Sequence, residues 1–322
     1  MDTKELILDA VNCILKLLFF FFILLPYFYF EALINKFTKK EPKSVKGEIV
    51  LITGTGRGIG RLLAIKYAKE GATVVCWNRT EELNNKTVEE IKQLGYPNVY
   101  GYKVDVSNRE NVMQTAQQVR EQVGDVTILI NNAGIMPHHS FLDHTEQEIR
   151  KIVDTNLMGH FWTIQAFLPA MKKNNKGHIV ALSSMAGRLG LMNLVPYSAS
   201  KFAIRGLMEG LQEEYRRIPN NNVHFTTIYP YMVDTGLCKY VEITHPSLLK
   251  MLKAEKVCEE IFQAQTLNKT HVRLDKFVDI FGSIKEMYIP TRAAEYLSDN
   301  FRTDLLSDLE MDQNGLETNK TK

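Results

Sequence analysis

Short apolar runs alternate with longer mixed segments through most of the chain. The runs are 48–53, 73–77, 99–103, 128–131, 178–182 and 224–229, with a weaker one at 271–274. They are rich in Val and Ile and show little polar alternation, which is typical of parallel strands buried on both faces. The intervening segments, such as 61–70, 81–94 and 108–123, are long enough for crossover helices. The pattern predicts an α/β fold, a doubly wound parallel sheet of about seven strands.

The N-terminal segment has a different pattern. Residues 17–30 carry no charge and include four consecutive phenylalanines, which fit poorly on one stripe of a soluble helix. About 20 apolar residues span a bilayer, and apolar residues towards Val11 lengthen this segment. The alternatives are a cleaved signal peptide, which the mixed-charge start disfavours, and a buried core helix. We predict a membrane anchor over residues 1–40, in which Pro26 either kinks the helix or turns a re-entrant hairpin.

The remaining chain divides by composition. Residues 41–47 form a basic linker, and lysines beside an apolar span favour the cytosolic side of a membrane. Residues 48–300 are predicted to form the α/β domain. Residues 301–322 turn polar and are predicted to be a solvated tail.

Charge and cysteine content exclude several classes of function. A net charge of +2 gives no support for nucleic-acid binding. The four cysteines lie far apart and contain no CxxC pair, which favours free thiols in a reducing compartment. The eight histidines show no recognisable ligand spacing, so we expect no metal site.

A glycine-rich turn follows the first predicted strand. Gly54, Gly58 and Gly60 form a TGxxxGxG pattern that leads directly into a helix, and Arg57 and Ile59 lie in the same turn. Glycines let the backbone approach a pyrophosphate, and the helix N-terminus favours negative charge. The turn is a weak signal alone. In its strand–turn–helix context it predicts a Rossmann-type dinucleotide site.

The end of the second strand bears on cofactor choice. An acid there usually binds the adenosine ribose of NAD, but this chain has Asn78 followed by Arg79. A guanidinium can bind a 2′-phosphate, and Arg57 adds a second positive charge nearby. The alternative is that these arginines are solvated and that Glu81 or Glu82 binds the ribose. We predict NADP(H), with NAD(H) as the alternative.

Several polar residues follow later strands in a recognisable order. Tyr197-x-x-x-Lys201 places two side chains on one helical face, although chance alone predicts about one such pair in this chain. Ser184 precedes Tyr197 by 13 positions, and this spacing favours it over Ser183 as a catalytic serine. Asn131-Asn132-Ala133-Gly134 follows the fourth strand, and Asn156 lies in the next helix.

With these residues, the sequence resembles the short-chain dehydrogenase/reductase superfamily over about residues 46–292. The resemblance implies a catalytic tetrad of Asn156, Ser184, Tyr197 and Lys201, in which the Lys201 ammonium helps lower the pKa of the tyrosine. It also implies that Asn131 steadies the sheet. The implied cofactor-binding residues are Gly54, Arg57, Gly58, Ile59, Gly60, Asn78, Arg79, Asp105, Val106, Asn132, Ala133, Gly134, Tyr197, Lys201, Pro230, Val233 and Thr235. Tyr231 replaces the glycine usual after Pro230, which puts the pocket shape in doubt.

The anchor and the runs GEIVLITG and NNAGI are similar to the branch containing 17β-hydroxysteroid dehydrogenase type 11 and the epidermal retinol dehydrogenases. That branch implies a retinoid, steroid or other lipid substrate, and a catalytic domain facing the cytosol at the endoplasmic reticulum membrane or a lipid droplet. It is also compatible with a homodimer. An NAD-linked steroid dehydrogenase is the enzymatic alternative. A catalytically silent surface protein is the other, although no tetrad residue is degraded.

The resemblance further implies that the segment after Thr235 covers the substrate. Leu248, Leu249, Met251 and Leu252 alternate there with Lys250 and Lys253. Such a pattern predicts either a lid that touches the membrane or an ordinary amphipathic core helix.

Overall fold

The computed structural model describes residues 3–38, 41–238, 241–243, 245, 249–275, 280, 283–284, 289–300, 303–305 and 307–308. The chain divides into two compact units, Met1–Pro42 and Lys43–Lys322.

The first unit is helical. Helix α1 (Thr3–Phe19) continues through a π-helical turn (Phe20–Leu24) into α2 (Leu25–Phe37). The wider turn directly precedes Pro26, which has no backbone N–H to continue the α-helical ladder. The helix therefore passes Pro26 without turning back as a hairpin. Over Thr3–Glu31 it is long and apolar enough to cross a membrane, and none of the α1 side chains is buried.

The second unit contains the remaining elements, which alternate between strands and helices over most of its length. The strands are β1 Ile49–Thr53, β2 Thr73–Asn78, β3 Val99–Lys103, β4 Ile128–Asn131, β5 Gly177–Leu182, β6 Val223–Tyr229, β7 Val233–Asp234, β8 Val241–Ile243, β9 Leu252–Lys253, β10 His271–Arg273 and β11 Thr303–Leu305. The helices are α3 Gly58–Lys69, α4 Glu81–Gln93, α5 Arg109–Gln122, α6 Glu146–Val153, α7 Gly159–Lys173, α8 Val195–Arg216, α9 Ala254–Thr266 and α10 Thr291–Asn300.

Seven of the strands form one parallel sheet in the order β10-β6-β5-β4-β1-β2-β3. The predicted Rossmann-type sheet is confirmed, including the weaker seventh strand at 271–274. Strand order reverses between β1 and β4, because the chain first winds one way to β3 and then the other way to β6. Ligands of such sheets bind in the crevice outside the carboxyl ends of the strands at this reversal.

Burial on both faces of the sheet explains the continuous apolar runs. Val50 and Ile52 of β1 pack in one core cluster with residues of α3, α4 and α9. Leu51 lies between them and packs in a second cluster with residues of α5, α7 and α8. Successive strand side chains point to opposite faces, so both sets of positions are apolar.

The second unit begins and ends differently from the prediction. Within the predicted linker, Val45 is 3% exposed and the Lys43 N–H donates to the Thr266 carbonyl at 2.9 Å. Within the predicted solvated tail, β11 pairs antiparallel with β8, and Leu305 is 3% exposed. The apolar Leu305 side chain has a packing partner that composition did not reveal. The predicted linker therefore contains a buried residue and the predicted tail contains a strand; residues 309–322 lie outside the described residues.

The segment predicted to cover the substrate contains a bend at Leu249 and a short strand at its end, where the structure describes it. Leu252 and Lys253 form β9, which pairs with β7, and Leu249 is buried against Met185 and Tyr229. Met251 is exposed, whereas Leu248 lies outside the described residues. Residues 249–253 therefore do not form the amphipathic core helix that was the alternative to a lid, and strand pairing with β7 fixes the backbone of Leu252 and Lys253.

Candidate active site

The glycine-rich turn connects β1 to α3 at the reversal of strand order. Gly54 and Gly58 have φ angles of +76° and +58°, which favour glycine. A Cβ at Gly60 would lie 2.2 Å from the Gly54 carbonyl oxygen, and one at Gly56 would lie 2.6 Å from Asn78 Nδ2. A side chain at Gly56 or Gly60 would therefore collide with Asn78 or with the turn itself, so the turn keeps this tight shape only with glycine at both positions. This is the arrangement that a dinucleotide pyrophosphate requires.

Asn132 fastens the turn to the end of β4. Its Nδ2 donates to the carbonyls of Thr53 at 2.9 Å and Gly54 at 3.2 Å. The backbone N–H groups of Asn132 and Ala133 both donate to Thr53 Oγ1 at 3.0 Å. Asn131 is 2% exposed and accepts from Thr163 Oγ1 at 2.8 Å. The two adjacent asparagines therefore have different structural roles. Asn131 joins the sheet to α7, and Asn132 holds the glycine-rich turn in place.

A cavity of about 410 Å³ lies above this turn. Its lining includes most of the predicted cofactor residues: Gly54, Arg57, Gly58, Ile59, Asn78, Arg79, Asp105, Val106, Asn132, Ala133, Gly134 and Thr235. Gly60 is absent from the lining because it supports the turn from behind. Sequence reasoning missed further lining residues: Gly56, Trp77, Thr80, Leu83, Val104, Ile135, Thr155 and Leu237. Most of these adjoin a predicted position along the chain, which is the signal that could have found them.

Asp105 is held at one side of this cavity. Its Oδ1 accepts from the Ser107 N–H at 3.0 Å and from Ser107 Oγ at 2.6 Å. Its own N–H donates to Asn111 Oδ1 at 2.8 Å. The carboxylate after β3 is therefore positioned by the first turn of α5, as the adenine-contacting role would require.

A second cavity of about 110 Å³ adjoins the first and shares five lining residues with it: Ile59, Asn132, Gly134, Thr235 and Leu237. Most of its remaining wall is apolar, with Met136, Leu191, Leu194, Met232 and Leu305. Pro230 and Val233, predicted as cofactor residues, line this second cavity rather than the first. Tyr231 lines it too, so the residue that replaces the usual glycine fills space in this wall.

The polar part of the second cavity contains Ser184, Tyr197 and Lys201. Tyr197 and Lys201 lie on α8 with 7% and 4% exposure, and Lys201 Nζ is 5.6 Å from the Tyr197 ring centroid. Lys201 Nζ also donates to the Leu182 carbonyl at 2.8 Å. Ser184 is close enough to Tyr197 to lower the pKa of the phenol against the larger effect of burial, whereas Ser183 Oγ donates to the Lys201 carbonyl at 2.9 Å. The geometry therefore favours Ser184 as the serine that acts with Tyr197.

Asn156 lies behind the cavities rather than in their walls. It sits in a π-helical turn, Asp154–Met158, between α6 and α7, a feature frequent at functional sites. Its Nδ2 donates to the Ile135 carbonyl at 2.9 Å and to Ser200 Oγ at 3.2 Å, and its Oδ1 accepts from the Ile135 N–H at 2.8 Å. The fully buried Asn156 therefore ties the loop after β4 to α8.

Burial disfavours the charged forms of both Tyr197 and Lys201. It raises the pKa of Tyr197 well above its ordinary value, against the opposing effect of the Ser184 hydrogen bond. It lowers the pKa of Lys201 to about 7. The protein groups alone therefore do not produce the lowered tyrosine pKa that the sequence analysis expects, because desolvation outweighs the hydrogen bond.

The chain matches the short-chain dehydrogenase family over residues 48–245. The chain belongs to this family. Short-chain dehydrogenase/reductase family 16C member 6 from Bos taurus is 38% identical over 299 residues, covering 92% of this chain and 94% of the relative. Estradiol 17-beta-dehydrogenase 11 from Macaca fascicularis is 40% identical over 262 residues, covering 81% and 86%. Epidermal retinol dehydrogenase 2 from Homo sapiens is 38% identical over 269 residues, covering 84% and 87%.

A solved structure gives the same assignment. A short-chain dehydrogenase/reductase from Burkholderia phymatum in complex with NAD aligns with a TM-score of 0.69 at 26% identity, covering 76% of this chain and 94% of the other. The predicted superfamily and branch are confirmed. This short-chain dehydrogenase is an oxidoreductase that acts on alcohol groups with a nicotinamide cofactor.

Proposed function

We propose that this short-chain dehydrogenase interconverts a lipophilic alcohol and its carbonyl. One observation carries the proposal: Tyr197 and Ser184 lie in the wall of the second, apolar cavity. That cavity directly adjoins the first cavity, of about 410 Å³, which is called the dinucleotide groove from here on. A substrate in that cavity would be within reach of both the acid/base group and the nicotinamide. The retinol and estradiol named in its relatives support the lipophilic character of the substrate.

The proposed roles follow from the positions of the side chains. Tyr197 Oη gives or takes the proton of the substrate oxygen, and Ser184 Oγ hydrogen-bonds that oxygen and fixes it near the phenol. Lys201 binds the nicotinamide ribose hydroxyls. Asn156 organises the loop after β4 and a water that relays the proton outwards. The nicotinamide supplies or accepts the electrons of the reaction.

Activation of Tyr197 must overcome its burial. Free tyrosine titrates near pH 10, and burial raises the pKa of Tyr197 further. An opposite charge within about 4–6 Å favours an ionised group, and Lys201 lies on the adjacent turn of α8. We therefore assign Lys201 a second role. When its amine is protonated in the occupied site, its positive charge would favour the ionised form of Tyr197 and so offset the effect of burial. The positive nicotinamide ring would have the same effect.

We further propose NADP(H) as the preferred cofactor. Arg57, Asn78 and Arg79 all line the groove, and none of them repels a 2′-phosphate. The alternative ribose-binding acids, Glu81 and Glu82, are exposed and do not line it. Glu81 instead lies 3.7 Å from Lys103 Nζ. This arrangement supports NADP(H) over NAD(H).

A substrate panel tests the proposed function. Membranes containing the full-length protein would be assayed with retinol, a steroid alcohol, a long-chain aliphatic alcohol and a sugar alcohol, and with the corresponding carbonyls. Each would be tested with both cofactors. We expect turnover of at least one lipophilic substrate and a lower KM for the phosphorylated cofactor. Turnover of the sugar alcohol alone, or of no substrate, would contradict the proposal.

The N-terminal helix is proposed to anchor the enzyme at the endoplasmic reticulum membrane or a lipid droplet, with the catalytic unit in the cytosol. Deleting residues 1–40 removes no strand and leaves Val45 and its buried contacts in place. The shortened protein should become soluble and keep its cofactor affinity. Release of full-length protein by high salt, or unfolding of the shortened form, would argue against an anchor. Protease protection in microsomes tests the orientation separately.

A further inference from the structure

Two histidines and a glutamate converge on the loop that follows β4 and on the first turn of α6. His139, His144 and Glu148 each place one potential ligand atom so that the three atoms lie within 4.8 Å of one another. His139 Nε2 is 3.6 Å from Glu148 Oε2, and the two imidazole rings lie 3.8 Å apart between centroids. None of the three has a part in the proposed reaction.

The imidazole nitrogens of this cluster are buried without protein partners. His139 is 1% exposed and His144 is 8% exposed. His139 Nε2 and both ring nitrogens of His144 have no hydrogen-bond partner among the described residues. Buried polar atoms are normally satisfied, because leaving one unpaired costs about 1–3 kcal/mol. Three such atoms in one small volume point to a bound group that would satisfy them.

Asp308 prepares His139 as a ligand. Its Oδ1 lies 2.8 Å from His139 Nδ1, so a proton on Nδ1 is donated to this carboxylate. The lone pair of the ring then lies on Nε2, on the side of Glu148. A carboxylate behind a histidine in this way is the usual second partner of a metal-binding imidazole, where it fixes the tautomer and the ring orientation.

We propose that His139, His144 and Glu148 bind a divalent transition-metal ion, Zn²⁺ by the chemistry of two imidazoles and a carboxylate. Ligand atoms about 2.0–2.1 Å from a tetrahedral ion lie about 3.4 Å apart, so the 4.8 Å cluster must contract. The His144 ring can turn towards the other two ligands without breaking a hydrogen bond, because neither of its nitrogens has a hydrogen-bond partner among the described residues.

Glu148 can bind the ion without uncapping α6. Its Oε2 accepts from the Thr145 N–H at 3.0 Å and from Thr145 Oγ1 at 3.1 Å, in a capping box. Oε2 is also the oxygen that lies 3.6 Å from His139 Nε2, so the ion either shares this oxygen with the cap or binds Oε1, which accepts no hydrogen bond among the described residues. Since the sequence His-x₄-His-x₃-Glu crosses a loop and a helix start, its spacing matches no standard ligand motif, which explains why the sequence analysis expected no metal site.

The ion would stabilise one wall of the second cavity. The Asp308 N–H donates to the His138 carbonyl at 2.9 Å, so Asp308 fastens the segment after β11 to the loop after β4. Leu305 and Met136, which flank this junction along the chain, both line the second cavity. The site is therefore structural: the ion holds His139, and His139 holds the segment that carries Leu305.

Zinc binding to the full-length protein in detergent tests the proposal directly. Metal-stripped protein would be titrated with Zn²⁺ by calorimetry. We expect one ion per chain, and a rise in the thermal midpoint when it binds. Glu148→Gln should weaken binding more than about tenfold while keeping the helix cap. His144→Phe keeps a stacked ring without a ligand atom and should weaken binding at least as much.

Asp308→Asn removes the carboxylate that orients His139 but none of the three proposed ligands. It should weaken binding of the ion by about ten- to hundredfold. The matched control is His271→Asn, because His271 is an exposed histidine on β10, outside the cluster. This variant should bind Zn²⁺ as tightly as the wild type. Bound Co²⁺ should give a visible ligand-field spectrum that both Glu148→Gln and His144→Phe alter. The proposal is overturned if wild-type protein binds no ion, or if Glu148→Gln and His144→Phe both bind as tightly as the wild type.

Discussion

The dinucleotide groove and the apolar cavity beside it are built in different ways. The groove is formed by residues that directly follow strands of the central sheet, and hydrogen bonds such as those from the Asn132 and Ala133 N–H groups to the Thr53 hydroxyl fix its shape. The apolar wall of the cavity is formed by side chains from segments far apart in the chain, including Met136, Leu191 and Leu305, which meet mainly through packing.

This difference explains what a sequence reveals about each region. A groove for a pyrophosphate needs particular backbone angles and an absent Cβ, so its requirements appear as short motifs. A cavity for an apolar molecule needs only suitable volume, and many combinations of side chains can supply it. The class of cofactor can therefore be predicted from the sequence, whereas the substrate cannot. Substitutions in each region should affect one function and spare the other.

Tyr197→Phe should have the largest effect, because this residue acts where the two regions meet. The substitution removes the proton donor but keeps the buried ring beside Lys201. We expect kcat to fall by about 10²–10⁴-fold. Nucleotide affinity, measured by fluorescence quenching, should change little.

Ser183→Ala is the matched control for this experiment. Its hydroxyl donates to the Lys201 carbonyl and not to Tyr197, so the variant should retain most of the turnover. Activity of Tyr197→Phe within a few-fold of the wild type would remove Tyr197 from the proposed mechanism.

Gly60→Ala should affect the groove next most strongly. The new Cβ would lie 2.2 Å from the Gly54 carbonyl oxygen and 2.5 Å from Asn132 Nδ2, and neither group can move without opening the turn. We expect the affinity for either nucleotide to fall more than about hundredfold, a loss of more than about 2.7 kcal/mol. Calorimetric titration with both cofactors measures this loss.

Gly210→Ala provides the comparison. Gly210 lies in α8, and a Cβ there meets no atom within 4 Å. Because alanine favours a helix over glycine by up to about 1 kcal/mol, this variant should be slightly more stable and should bind nucleotide normally. Equal nucleotide affinity in Gly60→Ala and Gly210→Ala would mean that the turn does not bind the cofactor.

The same contrast decides how much of the molecule is predictable from its sequence. The five inner strands of the sheet follow from apolar runs, because burial on both faces leaves a strong local signal. The edge strands β3 and β10 are mostly exposed, and the run that predicts β10 is correspondingly weaker. The distinct roles of Asn131 and Asn132 do not follow, since one residue of register decides which side chain faces the groove. The strand at Thr303–Leu305 and the contact between Asp308 and His139 depend on segments that lie far apart in the chain. No local pattern encodes such contacts.

Arg79→Ala should sharpen the comparison within the groove itself. A charge-assisted hydrogen bond to a phosphate contributes about 1.5–3 kcal/mol, so its loss should weaken NADPH about ten- to hundredfold. NADH has no 2′-phosphate and should be affected far less. Asn78→Asp should shift the preference further towards NADH, because a carboxylate there repels the phosphate. Apparent affinities for both cofactors on one substrate measure the shift.

Arg150→Ala is the control for a change of net charge. Arg150 is exposed and pairs with Glu146, outside the groove, so its removal should leave both affinities unchanged. A wild-type preference for NADH, or equal weakening of both cofactors by Arg79→Ala, would contradict the proposed NADP(H) specificity.

Leu305→Ala should have the smallest effect, and it should be confined to the apolar cavity. Leu305 is 3% exposed and lines only the second cavity among the two. Its carbonyl accepts from Asn193 Nδ2 at 2.8 Å, and this backbone contact survives the substitution. The wall therefore loses apolar contact while the segment keeps its position.

Each buried methylene contributes about 0.8 kcal/mol, or roughly fourfold in affinity, so partial loss of contact with the substrate should raise KM about three- to tenfold. Neither kcat nor the affinity for NADPH should change, because the Leu305 side chain takes no part in the proposed proton transfer and does not line the groove. Leu305→Met conserves volume and should keep KM within about twofold of the wild type. If Leu305→Ala instead weakens the binding of the nucleotide as much as the binding of the lipophilic substrate, the two regions are coupled through the segment after β11. Their different construction would then not give them independent functions.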